Sequence, residues 1–187
     1  MESQDFLEKG SFYHIYNRGN NKEDLFLEEE NYDYFLALLS KHLLSAVDIY
    51  AYCLLKNHFH LLVKIKDQPE LEENKLHQPF SNLFNAYTKA VNKKYNREGS
   101  LFRKNFKRQR ITDEQYLINT IIYIHLNPVK HEFTKKFEKY KYSSFQSIIS
   151  EKPTKLKRTE VLDMFSGAEN FMASHHQKVL NKFDLEL

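Results

Sequence analysis

Cysteine, glycine and proline are scarce in this sequence of 187 residues. Cys53 is the single cysteine, so no internal disulfide is possible. With four glycines, the chain also has too few turn residues for a many-stranded barrel. No apolar run approaches the roughly 20 residues that span a membrane, and the opening MESQDFLEKG lacks the basic and apolar regions of a secretory signal. These absences predict a cytoplasmic protein without a membrane partner.

Hydrophobic residues make up 41% of the chain and charged residues 28%, which is the mix of a globular protein. The length suffices for one good core and a small addition. We therefore predict one main domain over residues 1–150. A C-terminal tail follows over residues 151–187, with helix in residues 159–165 and 169–183.

The net charge of +3 conceals an uneven distribution of charge along the chain. Residues 75–110 contain ten lysines and arginines but one acid, whereas residues 20–33 contain six acids and one lysine. A concentrated basic segment suits the phosphates of a nucleic acid, although a solvated helix face gives the same pattern. Aromatic residues interleaved with these cations suit either unpaired bases or a core: Phe84, Tyr87, Tyr95, Phe102 and Phe106.

Turn residues divide the first 130 residues into seven elements. The sequence predicts strands over residues 11–18, 47–55 and 58–66, with a tight turn at Lys56 and Asn57. It predicts helices over residues 28–43, from Pro79 to about residue 96, and from Thr112 to about residue 126. The basic segment over residues 101–111 is extended and forms a fourth strand near its end.

The order β-α-β-β-α-β, followed by a helix, predicts an α+β fold of the ferredoxin-like or RRM-like kind. The sheet is expected to be antiparallel, with helices on both faces, because a two-residue turn is too short for a parallel crossover. Thr112 and Gln115 have the spacing of a capping box, so Thr112 is expected to begin the last helix. Pro128 is expected to end it.

The segment LKNHFHLLVKI, residues 55–65, combines a core strand with two histidines one residue apart. Side chains alternate along a strand, so one face is apolar: Phe59, Leu61, Val63 and Ile65. His58 and His60 lie on the other face with Cα atoms about 6–7 Å apart, which allows both imidazoles to reach one metal ion. Two half-exposed histidines with local hydrogen bonds are the more common origin of such a pair.

The last predicted helix carries a polar stripe beside its apolar one: Tyr116, Thr120, Tyr123 and Asn127. Tyr123 and Asn127 are one turn apart and share a face. If this helix covers the histidine face of the sheet, Asn127 offers a third ligand oxygen and Tyr123 puts its hydroxyl beside the metal. The alternative is a helix-end asparagine and a half-buried tyrosine. His125 projects about 200° around the helix from Tyr123 and is not expected in the site.

Four blocks of the sequence resemble the HUH class of single-tyrosine transposases, and most closely its branch of REP-associated tyrosine transposases. In order, the blocks are YHIYNRGNNKEDLF, YCLLKNHFHLLV, YTKAVNKKYNREGSLF and YIHLNPVK. The resemblance covers about residues 10–150 and excludes the tail, which implies that residues 1–150 are the catalytic domain. It implies a metal-dependent transposase that nicks and rejoins single-stranded DNA folded into imperfect hairpins.

The resemblance also implies roles for individual residues. His58 and His60 bind a divalent metal, Asn127 completes the metal site, and Tyr123 is the nucleophile. This donor set indicates Mg²⁺ or Mn²⁺, with positions left for a phosphate oxygen and water. Cleavage leaves a 5′-phosphotyrosine and a free 3′-hydroxyl, so rejoining needs no ATP. His14 lies in the first strand and could approach the site, but a histidine satisfied within the strand is the expected outcome.

The candidate DNA contacts are basic residues near the fourth strand: Lys104, Lys107, Arg108 and Arg110. Solvated surface is the competing interpretation at each of them. Relatives include monomers and homodimers, and the sequence does not distinguish these states. Two other functions stay open at this point: a non-catalytic nucleic-acid-binding protein on the same fold, and a different metalloenzyme with a His-x-His site.

Overall fold

The computed structural model describes residues 6–180 and contains four strands and six α-helices there. The strands are β1 (Phe12–Arg18), β2 (Val47–Leu55), β3 (His58–Ile65) and β4 (Lys107–Ile111). The helices are α1 (Glu29–Leu43), α2 (Gln78–Lys94), α3 (Glu114–Lys130), α4 (Phe145–Ile149), α5 (Arg158–Met164) and α6 (Ala168–Leu180). The first seven elements follow the predicted order.

The four strands form one antiparallel sheet in the order β2-β3-β1-β4. The register of β1 places Tyr16 opposite both His60 on β3 and Lys107 on β4. Residues that lie opposite one another in a ladder share a face of the sheet. These three side chains are therefore on the same side, and the predicted ferredoxin-like α+β fold is confirmed.

Each face of the sheet is packed against helices. The first core joins α1 and α2 to the apolar face of β3, with these β3 side chains buried: Phe59, Leu61, Val63 and Ile65. The second core lies under α3, which packs mainly across β2 and β3. Leu62 of β3 belongs to this second core. The predicted division of β3 into two faces is thus confirmed.

The segment after residue 150 packs on the second core. Val161, Phe165 and Phe171 are buried there beside α3. Helices α5 and α6 correspond to the predicted helices over residues 159–165 and 169–183, although the end of the latter beyond residue 180 lies outside the described residues. The boundary near residue 150 stays a prediction.

The N-cap of α3 is Asp113, so the prediction of Thr112 is wrong by one position. Asp113 has extended backbone angles, and its carboxylate accepts a hydrogen bond of 2.8 Å from the Tyr116 amide. Aspartate and threonine are both good caps. The sequence Thr-Asp-Glu therefore permits either start, and the backbone angles decide between them.

The expectation that α3 stops before Pro128 is also wrong. The helix continues to Lys130 with Pro128 inside it. Proline lacks the amide hydrogen that would bond to the Ile124 carbonyl, but this loss falls in the last turn and interrupts only one bond. The Pro128 carbonyl accepts hydrogen bonds from the Phe133 and Thr134 amides at 2.8 and 3.2 Å, which closes the helix end. As a result, Asn127 has a helical position within α3.

The acidic and basic segments of the chain partly neutralise each other. Lys94 near the end of α2 pairs with Glu28 and Glu30, and Arg97 pairs with Glu23. The interleaved aromatic residues mostly belong to the first core, where four are buried: Phe84, Tyr87, Phe102 and Phe106. The core explanation therefore applies to these rings, and a DNA-binding surface within this segment must be sought closer to β4.

Candidate active site

His58 and His60 lie at the start of β3 on the face that α3 covers. Their ring centroids are 5.3 Å apart and the rings are nearly perpendicular. His60 is buried and His58 is half-buried. The two imidazoles are thus neighbours outside the first core.

Each histidine is oriented by a hydrogen bond at Nδ1. His58 Nδ1 lies 2.7 Å from the Asn57 side-chain oxygen, which can only accept, so the proton is on Nδ1. His60 Nδ1 lies 2.9 Å from His14 Nε2. Metal-binding histidines commonly use one ring nitrogen for such a partner and the other for the metal. In both side chains, Nε2 is therefore the nitrogen that could bind a metal.

Tyr123 and Asn127 extend from α3 toward these histidines. The Tyr123 ring meets the His60 ring edge-on at 5.5 Å and the His14 ring at 5.9 Å. Asn127 is fully buried, and its side-chain nitrogen donates a 2.9 Å hydrogen bond to the Tyr123 carbonyl. A carbonyl only accepts, so this bond fixes which end of the amide is the oxygen.

The Asn127 side-chain oxygen is buried and has no hydrogen-bond partner among the described residues. Leaving a buried acceptor unsatisfied costs about 1–3 kcal/mol. The amide is close enough to His58 and to Tyr123 to oppose the pKa shifts that burial causes in both. An oxygen in this situation, beside two oriented imidazoles, has the properties of an unused ligand atom.

Burial keeps the histidines of this site neutral. It lowers the pKa of His58 to about 4 and that of His14 to about 3, and it lowers the pKa of His60 well below the usual value. All three imidazoles therefore keep a lone pair at neutral pH, which metal binding requires. Burial raises the pKa of Tyr123, so its hydroxyl stays protonated unless positive charge is brought to it.

The donor set fits a hard or borderline divalent cation. Across residues 6–180, no group of three or more His, Cys, Asp and Glu side chains converges on a common point. A third protein ligand for a metal at His58 and His60 would therefore be of another type, and the Asn127 oxygen has the chemistry for it. His58, His60 and Asn127 thus offer two nitrogens and one oxygen.

Three further side chains belong to the site but were not predicted. Tyr16 stacks with His60 at a centroid distance of 5.7 Å, and the His131 ring lies 4.9 Å from that of His58. The Lys130 ammonium lies 4.7 Å from the centroid of the Tyr123 ring. Lys130 follows Tyr123 by two helical turns, but the sequence predicted that the helix ends before Pro128, so neither Lys130 nor His131 was placed on it.

His14 and His125 both form hydrogen bonds through their rings, but in different places. His14 approaches the site and is satisfied by its contact with His60, as expected. His125 lies on the far side of α3, where its Nδ1 is 2.9 Å from His175 Nε2 and its Nε2 is 2.8 Å from the Ser144 hydroxyl. Its predicted exclusion from the site is confirmed.

The four candidate DNA contacts do not form a single patch. Lys107 lies opposite Tyr16 on the histidine face, whereas Arg108 and Arg110 alternate onto the other face of β4. Arg110 pairs with Glu8 at 2.8 Å. Lys104 is exposed in the segment before β4. The basic residues therefore straddle the edge strand of the sheet.

Comparisons with known proteins support the resemblance seen in the motifs. No family model matches the sequence. A Haemophilus influenzae protein named "Putative REP-associated tyrosine transposase" is 33% identical over 104 residues, which is 51% of this chain. The match covers 57% of the relative, so the chain spans little more than half of that protein's length.

A solved structure has the same fold. It is that of a REP-associated tyrosine transposase bound to a REP hairpin, and it aligns with a TM-score of 0.66 and 17% identity. The alignment covers 81% of this chain and 86% of the other. The resemblance to REP-associated tyrosine transposases is confirmed by these two matches. Within the described part of the chain, no helix is long and apolar enough to cross a membrane.

Proposed function

We propose that the chain is a single-tyrosine DNA transposase, which nicks and rejoins single-stranded DNA that folds into imperfect hairpins. The observation that carries this proposal is the buried, unpartnered oxygen of Asn127 beside Tyr123 and the oriented pair His58 and His60. The name of the Haemophilus influenzae relative supports the same function. The REP hairpin bound by the structurally similar transposase supports the same substrate class.

In the proposed reaction, Tyr123 acts as the nucleophile. Its hydroxyl oxygen attacks the scissile phosphorus as its proton passes to solvent, and the bond from phosphorus to the 3′-oxygen breaks. The leaving 3′-oxygen takes up a proton and becomes a free hydroxyl, while the 5′-phosphate stays attached to the tyrosine. One phosphodiester bond replaces another, so attack by a 3′-hydroxyl on the phosphotyrosine rejoins the strand without ATP.

His58, His60 and Asn127 are the proposed ligands of Mg²⁺ or Mn²⁺. When bound, this ion supplies Lewis acidity to the scissile phosphate and neutralises charge on the leaving oxygen. Asn57 and His14 hold the two imidazoles through Nδ1, so the ligand nitrogens are oriented before the ion arrives.

Lys130 is the proposed source of positive charge for the phenol. The pKa of Tyr123 is raised by burial, and phenols are weak nucleophiles when protonated. The ammonium of Lys130, at 4.7 Å from the ring centroid, would favour the phenolate and attract the phosphate at the same point.

The assignment of Tyr123 as the nucleophile is tested by an assay for a covalent adduct between protein and DNA. Wild-type protein is incubated with labelled hairpin-bearing single strands and Mn²⁺, and the products are separated on a denaturing gel. We expect an adduct that Tyr123→Phe abolishes and that the matched control Tyr16→Phe retains, because both phenols lie near His60. An adduct formed by Tyr123→Phe would show that another residue is the nucleophile.

Metal binding is tested without turnover. Isothermal titration of the DNA-free protein with Mn²⁺ is expected to show one site, which His58→Ala removes. His131→Ala is the control, because His131 adjoins His58 but is not among the proposed ligands. A site that survives His58→Ala would place the metal elsewhere.

The alternative is a non-catalytic nucleic-acid-binding protein on the same fold. It predicts hairpin binding without an adduct on any hairpin and without Mn²⁺ binding. A cytoplasmic location, and the choice between monomer and homodimer, stay predictions within the proposed function. So does the assignment of residues 1–150 as the catalytic domain.

A further inference from the structure

The turn that precedes His58 is held from outside the hairpin that it closes. Leu55 of β2 is paired with His58 of β3, so Lys56 and Asn57 form a two-residue turn. Such turns favour a positive φ at one or both central residues, because this matches the twist of the strands. Neither Lys56 nor Asn57 has a positive φ. The order of this turn therefore depends on the loop after β1, residues 19–26, which we call the bracing loop.

Both carbonyl groups of the turn accept hydrogen bonds from the bracing loop. The Asn57 carbonyl accepts from the Gly19 amide at 2.9 Å. The Lys56 carbonyl accepts from the amides of Leu25 and Phe26 at 2.8 and 3.0 Å. The side chains of Leu25 and Phe26 are buried in the first core, so this end of the loop is firmly anchored. The first core thus supports the turn through main-chain hydrogen bonds.

Gly19 occupies a position in the bracing loop that has no room for a side chain. A Cβ atom at this position would lie 1.9 Å from the main-chain carbonyl oxygen of Glu23. Non-bonded carbon and oxygen atoms do not approach so closely, so a larger residue would have to displace the loop backbone. Because the Gly19 amide is the donor to the Asn57 carbonyl, that displacement would also loosen the turn.

An ion pair joins the bracing loop to the turn at the surface. Asp24 Oδ2 lies 2.9 Å from Lys56 Nζ, and both side chains are partly exposed. Exposed pairs of this kind contribute little by themselves. The charges can, however, be exchanged between the two positions without removing any main-chain hydrogen bond.

Asn57 connects the position of the turn to the orientation of His58. Its side-chain oxygen lies 2.7 Å from His58 Nδ1, which places the imidazole proton on Nδ1 and leaves Nε2 for a metal. If the turn moves, this acceptor moves with it, and the proton can then occupy either nitrogen. The support of the turn is therefore also the support of the proposed ligand atom.

We propose that Gly19 and Asp24 are positioning residues for His58, which act through the bracing loop and the turn to hold its Nε2 ready for the metal. The proposal rests on the proposed function for the metal, but the orientation of His58 is a property of the metal-free protein. His60 does not depend on this support, because its Nδ1 lies beside His14 Nε2 instead. His60 is therefore an internal reference in every variant.

The orientation of His58 is measured in EDTA and without DNA. Nitrogen-15 chemical shifts distinguish protonated from unprotonated imidazole nitrogens, and the spectrum of His58→Ala identifies the signals of His58. Wild-type protein is expected to carry the proton on Nδ1. In Gly19→Ala, as in Asn57→Ala, we expect a mixture of the two tautomers of His58, with the His60 signals unchanged. An unchanged His58 tautomer in folded Gly19→Ala protein would overturn the proposal.

Gly10→Ala is the matched control for a general loss of stability. Gly10 has a φ of +72°, so alanine is unfavourable there, but Gly10 precedes β1 whereas the bracing loop follows it. We expect isothermal titration to show about tenfold weaker Mn²⁺ binding in Gly19→Ala, as when the partner of a metal ligand is lost, and unchanged binding in Gly10→Ala. Equal losses in both proteins would mean that destabilisation, and not positioning, is the cause.

The ion pair tests the same support should Gly19→Ala fail to fold. Asp24→Lys brings like charges together, so we expect it to weaken Mn²⁺ binding about two- to fivefold and to shift the His58 tautomer toward the mixture. The exchanged pair, Asp24→Lys with Lys56→Asp, has the net charge of the wild type and is expected to restore both quantities. Failure of the exchange to restore the tautomer would remove Asp24 from the proposal.

These outcomes distinguish the positioning role from the proposed function. A tautomer shift in Gly19→Ala combined with no Mn²⁺ binding by the wild type would reject the metal site alone. Mn²⁺ binding and a covalent adduct in the wild type, combined with an unchanged tautomer and affinity in Gly19→Ala, would reject the positioning role alone.

Discussion

The two ends of the Asn127 amide have different environments. Its nitrogen is held by the Tyr123 carbonyl, and its oxygen is left buried without a partner among the described residues. In the absence of a ligand this arrangement is unfavourable, since the oxygen has lost its water and gained nothing. Such a feature is expected where a residue is kept for binding at a cost in stability.

Replacement of Asn127 by leucine should therefore separate stability from metal binding. In EDTA, Asn127→Leu removes the unsatisfied oxygen and one hydrogen bond, so we expect a change in unfolding free energy within about 1 kcal/mol, of either sign. Mn²⁺ affinity should fall at least about tenfold, as it does when metal-site partners are lost. Calorimetric titration and chemical denaturation measure the two quantities.

Asn119→Leu is the control for this change, because Asn119 lies on α3 and bonds only to Gln115 among the described contacts of its side chain. Unchanged Mn²⁺ affinity in the Asn127→Leu protein would remove Asn127 from the site. A loss of several kcal/mol of stability in EDTA would show that the amide is needed mainly for packing.

Residue spacing predicted which side chains lie together in this site, but it did not predict how each side chain is oriented. Alternation placed His58 and His60 on one face, and one helical turn placed Asn127 under Tyr123. The sequence could not show that the Asn127 oxygen is the free end, because that depends on a hydrogen bond inside the folded helix. Tyr16 was missed because its proximity to His60 depends on the pairing of β1 with β3.

At the scale of the element, α3 depends on its cap to present Tyr123 and Asn127. Asp113→Ala removes the carboxylate that accepts from the Tyr116 amide, so we expect a loss of about 0.5–2 kcal/mol of unfolding free energy. Thr112→Ala should change this free energy by much less, because Thr112 precedes the cap. Urea denaturation of the two variants measures both effects, and an equal loss in both would restore Thr112 as a contributor to the cap.

At the end of α3, the rule that a helix stops before proline gave the wrong boundary, because α3 continues past Pro128. The rule that helices stop before proline reflects a lost hydrogen bond and a steric clash. At Pro128 the loss falls in the final turn, and hydrogen bonds from the amides of Phe133 and Thr134 to its carbonyl close the helix end. Burial of the helix over β2 and β3 outweighs the local preference.

The cations of β4 lie on different faces of the sheet, and this difference should be measurable in DNA binding. Lys107 lies on the histidine face, so Lys107→Ala should weaken hairpin binding and lower the salt dependence of the association constant by about one ion. Arg110→Ala should change the salt slope less, since Arg110 lies on the other face and pairs with Glu8. Anisotropy titrations at several salt concentrations provide the slopes. A larger effect of Arg110→Ala would mean that DNA follows the opposite face of the sheet.

At the scale of the whole molecule, only the folded structure shows which charged residues are paired with each other and which aromatic residues belong to the core. The basic run over residues 75–110 suggested one continuous surface, yet Lys94 and Arg97 are paired with acids from the segment before and at the start of α1. Sequence alone could not predict this pairing, because the partners are more than 60 residues apart. The overall topology was predictable, since it follows from element order and one short turn.

Five of the buried or half-buried histidines have lowered pKa values, which makes the stability of the folded protein sensitive to acid. Burial lowers the pKa of His14 to about 3 and of His58 and His175 to about 4, and it lowers the pKa values of His60 and His125 well below the usual range. Above the unfolded pKa of about 6.5, these histidines are neutral in both the folded and the unfolded state, so they contribute no pH dependence to stability. Below it, the unfolded chain binds protons that the folded protein does not, so stability falls with decreasing pH.

The size of this effect predicts unfolding at mild acidity. Each histidine removes up to about 1.4 kcal/mol per pH unit between its unfolded and folded pKa values, so the five together remove at most about 7 kcal/mol per unit. A domain with about 5–15 kcal/mol of stability should then unfold cooperatively between about pH 6 and pH 4. Circular dichroism in EDTA measures the transition. A folded protein with constant stability down to pH 4 would contradict the burial of neutral imidazoles.

Mn²⁺ should shift this acid transition in a way that depends on the proposed site. Metal binds the folded state and requires neutral imidazoles, so saturating Mn²⁺ should move the midpoint to lower pH than in EDTA. The shift should be absent in the His58→Ala protein and retained in His77→Gln, because His77 is exposed at the start of α2. A shift of equal size in all three proteins would mean that the ion stabilises the fold from another place. The effect of Mn²⁺ on the midpoint of acid unfolding therefore tests the metal site without any knowledge of the target hairpin.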